Sequence, residues 1–289
     1  MKASYRAVIT DMDGTLYSWV DYIVPALEAM VTSLQQTTGL PRIRIVQSLK
    51  EVYERYDTNE YAFAIQESSI FREYAQDFDS FNSLVITPAR KAFSDCRRRF
   101  LRPYRGVLPT LRTLRARGVR IVALTDAPRS PAERRLKQLE LDGLVDALYS
   151  LEGFAVPDLV DPAVKIREQE GYYRSALGLV VELPRTHEKP SPLGIQRILS
   201  DFDLAPEEVL MVGDNLKKDV AAAAAAGVQA AWAEYGTYIS PEYRERLDTF
   251  SAAAVTAKNV AAETDHETYR PGATLSNFRQ VLELLERGA

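Results

Sequence analysis

Asp11 and Asp13 stand one residue apart and are followed by Gly14, a spacing that lets two carboxylates at one turn divide labour. One, held near a divalent cation, stays ionised as a nucleophile, and the other cycles as general acid and base. Far downstream, Asp214 and Asp219 flank Asn215; one adds an oxygen ligand and the other supports it. Hard oxygen ligands completed by a substrate phosphate and water suit Mg²⁺. Thr125 contributes a hydroxyl and neighbouring amides, and Lys189 a point charge for a phosphoryl oxygen. Taken singly these signals are weak, since an Asp-x-Asp pair is often only a solvated turn. Their order carries the weight: carboxylate pair, Thr, Lys, then Gly213-Asp214-Asn215 with Asp219, each after its own element.

The elements that must position them follow from apolar patterning. Residues 4–10, 119–124 and 209–212 read as strands, each ending in Asp or Thr. With helical patterns between them they imply an α/β fold with a parallel, Rossmann-like sheet, whose ligands bind beyond the strand C-termini. Val107, Leu111 and Leu114 form one helical face closed by Gly118; Ser130-Pro131 and Pro192 start two more helices, and Ala221 to Ala226 forms another before Gly227. Val180 to Leu183 is a further short strand. Residues 22–103 contain no strand pattern but three helical stripes: Ile23 to Leu34, Ile45 to Tyr56, and a helix capped by Thr87-Pro88 with Ala89, Ala92, Phe93, Cys96 and Phe100 inward. Arg97 to Arg99 read as a solvated face. The expected division is a core of 1–19 and 104–289, with an insert near 151–178, interrupted by a helical cap over 20–103. Residues 236–272 form an extension with a helix around Tyr243 to Leu247, and Phe278 to Leu285 is the last helix.

Composition excludes several classes. Across 289 residues, 36 Lys and Arg face 40 Asp and Glu for a net charge of −4, no field for a polyanion, so no nucleic acid is expected. One cysteine closes no internal disulfide. No signal-like or membrane-length apolar run is present, which makes a cytoplasmic location without membrane contact the expectation. Oligomeric state is not encoded legibly.

Asp11-Met12-Asp13-Gly14-Thr15-Leu16 resembles the first motif of the haloacid dehalogenase-like hydrolase superfamily, and Leu124-Thr125-Asp126 its second. Lys189-Pro190 is similar to the third, and Val212-Gly213-Asp214-Asn215 with Asp219 to the fourth. The resemblance implies Asp11 as the nucleophile forming an aspartyl-phosphate and Asp13 as acid and base. It implies Thr125 and Lys189 on the phosphoryl oxygens, with Asp126 and Gly14 beside the substrate. Asp11, the Asp13 carbonyl and Asp214 would bind Mg²⁺, and Asn215 and Asp219 would support them. Dehalogenase members lack an acid/base carboxylate at the Asp13 position, so its presence favours phosphoryl transfer, with a small phosphorylated metabolite as partner. The interval before Lys189 is long for the family, which leaves Lys165 as a competitor. Tyr17 and Trp19 read as core or hinge packing, and His187 and His266 as bystanders. The alternatives are a phosphomutase, a phosphonate-cleaving enzyme using cap Lys50 or Lys91, and a non-catalytic interaction module.

Overall fold

The run Ala7–Thr10 (β1) is buried along its whole length, which in a sheet requires cover on both faces and places it at the centre. A computed structural model of the chain describes residues 5–70, 77–154, 175–251 and 269–287. Most of the expected insert near 151–178, with Lys165, and much of the 236–272 extension, with His266, lie outside the described residues.

Seven parallel strands form the sheet. Beside β1 they are β2 (Arg120–Pro128), β3 (Ala147–Leu151), β4 (Leu179–Leu183), β5 (Val209–Gly213), β6 (Gln229–Trp232) and β7 (Ala273–Thr274). The spatial order is β4-β3-β2-β1-β5-β6-β7. The chain builds outward from β1 to β4, then returns to the other side of β1 with β5. That reversal creates a switch point between β1 and β5, where a crevice opens beyond the strand ends. Alternation along the strands fills two cores. Val8, Ile121, Ala123 and Val212 face one, while Ile9, Val122, Leu124 and Met211 face the other.

Helices cover both faces, so the fold is the expected α/β, Rossmann-like parallel sheet with an inserted helical unit. The insert contains α1 (Trp19–Thr38), α2 (Arg42–Tyr56) and α3 (Thr87–Phe100). The stripe Ile23, Leu27, Met30, Val31 and Leu34 is buried on α1, which ends at Gly39 in the left-handed region. Entry and exit of the insert lie side by side: Tyr17 bridges to Pro103, and the Tyr104 N–H donates to the Leu16 carbonyl at 2.9 Å. Outside the insert, the α-helices among the described residues are α4 (Val107–Ala116), α5 (Arg129–Gln138), α6 (Leu193–Asp201), α7 (Ala221–Ala225), α8 (Pro241–Phe250) and α9 (Val281–Arg287). Ala222 and Ala223 pack against the sheet, as the polyalanine run suggests. Among the described residues no helix is long and apolar enough to cross a membrane.

Four local expectations are corrected. Thr87 does not cap α3, because a π-helical stretch, Asn82–Ile86, runs straight into it and satisfies the Thr87 N–H through the Asn82 carbonyl. Phe100 is exposed rather than inward, since the helix ends there. Arg97 is buried and donates from Nε to Gln138 Oε1 at 3.4 Å, so only Arg98 and Arg99 form a solvated face. Ser130 is not an N-cap, because extended Pro128 delivers the chain into α5 at Arg129. β3, β6 and β7 carry no expectation from the sequence; two are short and the β3 run is interrupted by Ser150.

Candidate active site

Three central strands end at one crevice. The Asp11 N–H donates to the Val212 carbonyl at 2.8 Å, so the β1–β5 ladder continues one residue past β1 and fixes the Asp11 backbone. Its carboxylate accepts from Lys189 Nζ at 2.6 Å, and the same ammonium donates at 2.6 Å to Asp219 Oδ1. Both carboxylates and the ammonium are buried. Two anions sharing one cation hold Lys189 charged: burial works against the charge, but Asp11, Asp219 and Asp126 outweigh it and push its pKa well up. Asp219 uses its other oxygen to accept from the Asn215 N–H at 3.0 Å. Asn215 in turn caps the helical turn Leu216–Val220, its side chain accepting from the Lys217 and Lys218 N–H groups.

Carboxylate oxygens of Asp11, Asp214 and Asp219 lie within 4.8 Å of one another. Crowding shows in their electrostatics. Burial, opposed by Lys189 and reinforced by Asp219 and Asp13, raises Asp11 to about 7. Burial and the neighbouring Asp11 and Asp219 push Asp214 well above the carboxylate range. Such a hard-oxygen cluster, whose repulsion Lys189 relieves only in part, suits a divalent cation. Gly14 adopts φ +77° and a Cβ there would collide with the Asp214 carboxylate, so the loop requires glycine. Gly236 presses against the Gly14 carbonyl just as tightly. The Trp232 indole N–H donates to the Asp214 carbonyl at 2.7 Å, and Tyr235 Oη to that of Thr15 at 2.6 Å.

Thr125 is buried near the end of β2, its Oγ1 accepting from the Ala127 N–H at 3.1 Å. Asp126 turns its carboxylate to scaffolding, accepting from the Lys189 N–H at 3.1 Å and from Lys218 Nζ at 2.9 Å. Burial raises this carboxyl, but Lys189 and Lys218 dominate and leave it below its usual range.

Asp13 has different company. Arg135 Nη1, on α5 and almost fully buried, donates to Asp13 Oδ1 at 2.6 Å and to Tyr22 Oη at 2.8 Å. Tyr22 Oη donates to Glu60 Oε1 at 2.8 Å, and Glu60 also pairs with Arg135 at 3.3 Å. Burial raises the Asp13 carboxyl, Arg135 pulls it back, and Glu60 raises it again.

Together Asp11, Asp13, Thr125, Lys189 and Asp214 line a cleft of about 270 Å³, with Trp19, Asn59 and Glu60 from the insert across from them. Tyr17 is buried as core, and the His187 ring lies within hydrogen-bond distance of the Thr186 hydroxyl, its neighbour in sequence. Sequence reasoning missed Arg135, Glu60, Lys218 and Arg185. Arg135 sits in a run, Glu-Arg-Arg-Leu-Lys, that reads as a solvated helix face. Only the tertiary meeting of α5 with the Asp13 loop gives it a buried role.

A family model described as haloacid dehalogenase-like hydrolase matches residues 5–227, and a second, HAD-hydrolase-like, matches residues 187–277. A glyceraldehyde 3-phosphate phosphatase from Pyrococcus furiosus is 38% identical over 63 residues, which is 21% of this chain and 26% of the relative's length. A glyceraldehyde 3-phosphate phosphatase from Methanopyrus kandleri is 24% identical over 246 residues, covering 84% of this chain and 90% of the relative. Among solved structures, a 2-haloacid dehalogenase from Pseudomonas syringae pv. Tomato superposes with a TM-score of 0.59 at 18% identity, covering 99% of this chain and 100% of that one. That likeness concerns the fold.

Proposed function

The chain belongs to the haloacid dehalogenase-like hydrolases, and on that premise we propose that it is a Mg²⁺-dependent phosphatase that hydrolyses a small phosphomonoester through an aspartyl-phosphate on Asp11. The observation that carries the proposal is the separation of the two carboxylates. Asp11 shares the buried Lys189 with Asp219, while Asp13 is held apart by Arg135. One would be held ionised for attack once a cation joins Lys189 beside it, and the other is placed to exchange a proton at the mouth of the cleft. The phosphatase names of the Pyrococcus and Methanopyrus relatives support the same reaction class.

Asp11 attacks phosphorus, the ester P–O bond breaks, and Asp13 gives its proton to the departing alcohol oxygen. Water then attacks the acyl-phosphate, losing a proton to Asp13, and releases inorganic phosphate and Asp11. Lys189 and Thr125 hold phosphoryl oxygens, and fixed partners leave them little to reorganise as charge develops. The donor set fits Mg²⁺: Asp11, Asp214 and the Asp13 carbonyl would hold it, with Asp219 retained as the anchor of Lys189. The cation would neutralise phosphoryl charge and screen Asp11 from the dianion.

Residues 20–103 act in this reading as a cap on a core of 1–19 and 104–289, closing to exclude water. A phosphonate-cleaving role fits poorly. Lys50 Nζ donates to the Asp248 carbonyl, Lys91 pairs with Asp95 on an exposed face, and neither lines the cleft. The test is phosphate release from a panel of phosphomonoesters with and without Mg²⁺. Wild type is expected to turn over with the metal, and Asp11→Asn to lose at least about a thousandfold in kcat while keeping its melting transition. Full activity in the variant, or none in wild type across the panel, would overturn the proposal.

A further inference from the structure

Charge around the cleft is distributed unevenly. Acidic side chains outnumber basic ones, and the cations that line it are Lys189, Lys218 and Arg185. Lys189 is committed to Asp11 and Asp219, and Lys218 to Asp126 and Glu188. Arg185 differs from both. Its guanidinium lies over the Phe154 ring at 4.3 Å, and among the described residues no carboxylate pairs with it. Its Nη2 is buried and, among the described residues, has no hydrogen-bond partner.

A buried guanidinium nitrogen without an acceptor costs free energy that an arriving anion recovers. Position adds a second argument. Arg185 opens the short turn Arg185–His187, and Lys189 follows on the same loop, so one segment carries both the phosphoryl-holding ammonium and this fork. Contact with the Phe154 ring anchors the guanidinium at the cleft, and its planar fork favours a two-pronged acceptor over a single oxygen.

We propose that Arg185 is a specificity-determining residue that receives a carboxylate carried on the leaving group, making the preferred substrates phosphomonoesters of small hydroxy acids. The proposal deepens the phosphatase reading of the same cleft and rests on it. Acidic residues outnumber basic ones along the same cleft, which leaves the fork as the place there where an added carboxylate is best received.

Matched esters test it. Wild type and Arg185→Gln are assayed with Mg²⁺ on phosphoglycolate against ethyl phosphate, and on 3-phosphoglycerate against glycerol 3-phosphate. Wild type should favour the carboxylate-bearing member of at least one pair by about tenfold or more in kcat/KM. Arg185→Gln should cut that ratio by about ten- to a hundredfold, mainly through KM, and Arg185→Lys should restore part of it. A wild-type ratio near one, or a ratio unmoved in Arg185→Gln, overturns the role of Arg185 while leaving the phosphatase reading intact. Calorimetric binding of phosphonoacetate against ethylphosphonate gives a readout independent of turnover. The same preference and the same loss are expected there. If no ester is hydrolysed and neither phosphonate binds, the phosphatase reading falls and this inference with it.

Discussion

Arg135 shows how much a single buried side chain contributes to this site. It neutralises Asp13 and Glu60, which otherwise face each other across the cleft edge. Arg135→Met should destabilise the protein by about 2–3 kcal/mol at neutral pH, less than for a fully enclosed pair because Asp13 still reaches solvent. The sign with pH is set by Asp13: without the guanidinium its folded pKa rises further, so the loss grows as pH climbs above the ordinary carboxylate range. Urea denaturation at two pH values reads this, and equal losses at both would contradict it. The alkaline limb of kcat/KM, which reports the protonated Asp13 that the first step requires, should move upward in the same variant. Asp11 and Asp214 predict a second pH effect. Both hold protons in the metal-free protein to higher pH than an unfolded chain does, Asp11 to about 7. Mg²⁺ must displace those protons, so its affinity should rise with pH through that region. The melting temperature of metal-free protein should fall over the same range, because the native state binds the extra protons. Calorimetry in buffers of different ionisation enthalpy measures the proton release; none detected would refute the assignment.

At the level of elements, what matters is how tightly loops from different strands are pressed together. The turn after β6 brings Gly236 onto the Gly14 carbonyl, and Gly14 in turn lies against Asp214. Gly236→Ala would drive a methyl into backbone rather than into a side chain that can move. We expect at least about a tenfold loss of kcat/KM and weakened Mg²⁺ affinity in a protein that still folds, measured by phosphate release and metal titration. Such contacts explain what was readable beforehand. The strands that carry chemistry were legible because each is an apolar run ending in Asp or Thr, and the α1 stripe because five buried positions keep helical spacing. Lys189 was legible from its order in the set, despite the long interval before it. The partners of Asp13 were not. Glu60 and Arg135 lie in charged, locally unremarkable segments, and only chain crossing gives them meaning. The start of α3 was misread for a related reason: Thr-Pro is a good cap signal, yet the helix entering from Phe78–Phe81 overrides it.

Viewed whole, the molecule joins its insert to the core through α5, where Arg135 meets Tyr22 and Glu60 and Gln138 meets Arg97, and through two further ties. One tie is local, where Tyr17 and Pro103 bridge at the neck. The other comes from far along the chain. α8 buries Leu247 and Phe250 in the same core as α1 and α2, and Arg246 forms an ion pair with Glu28. Asn59 donates to Ser251 Oγ at 2.8 Å, and Lys50 to the Asp248 carbonyl at 3.3 Å. Amides of α8 should therefore exchange with solvent in step with those of α1 and α2, not with the faster-fraying edge at β7, as hydrogen exchange would reveal. Exchange of α8 independent of both helices would argue against a shared unit. For anyone recombining lids among relatives, this second tie sets the size of the cassette. A transplant cut only at 20 and 103 would strip the cover from Phe250 and strand Arg246 beside a foreign surface. The transferable piece is two segments of sequence, and the chimera needs both.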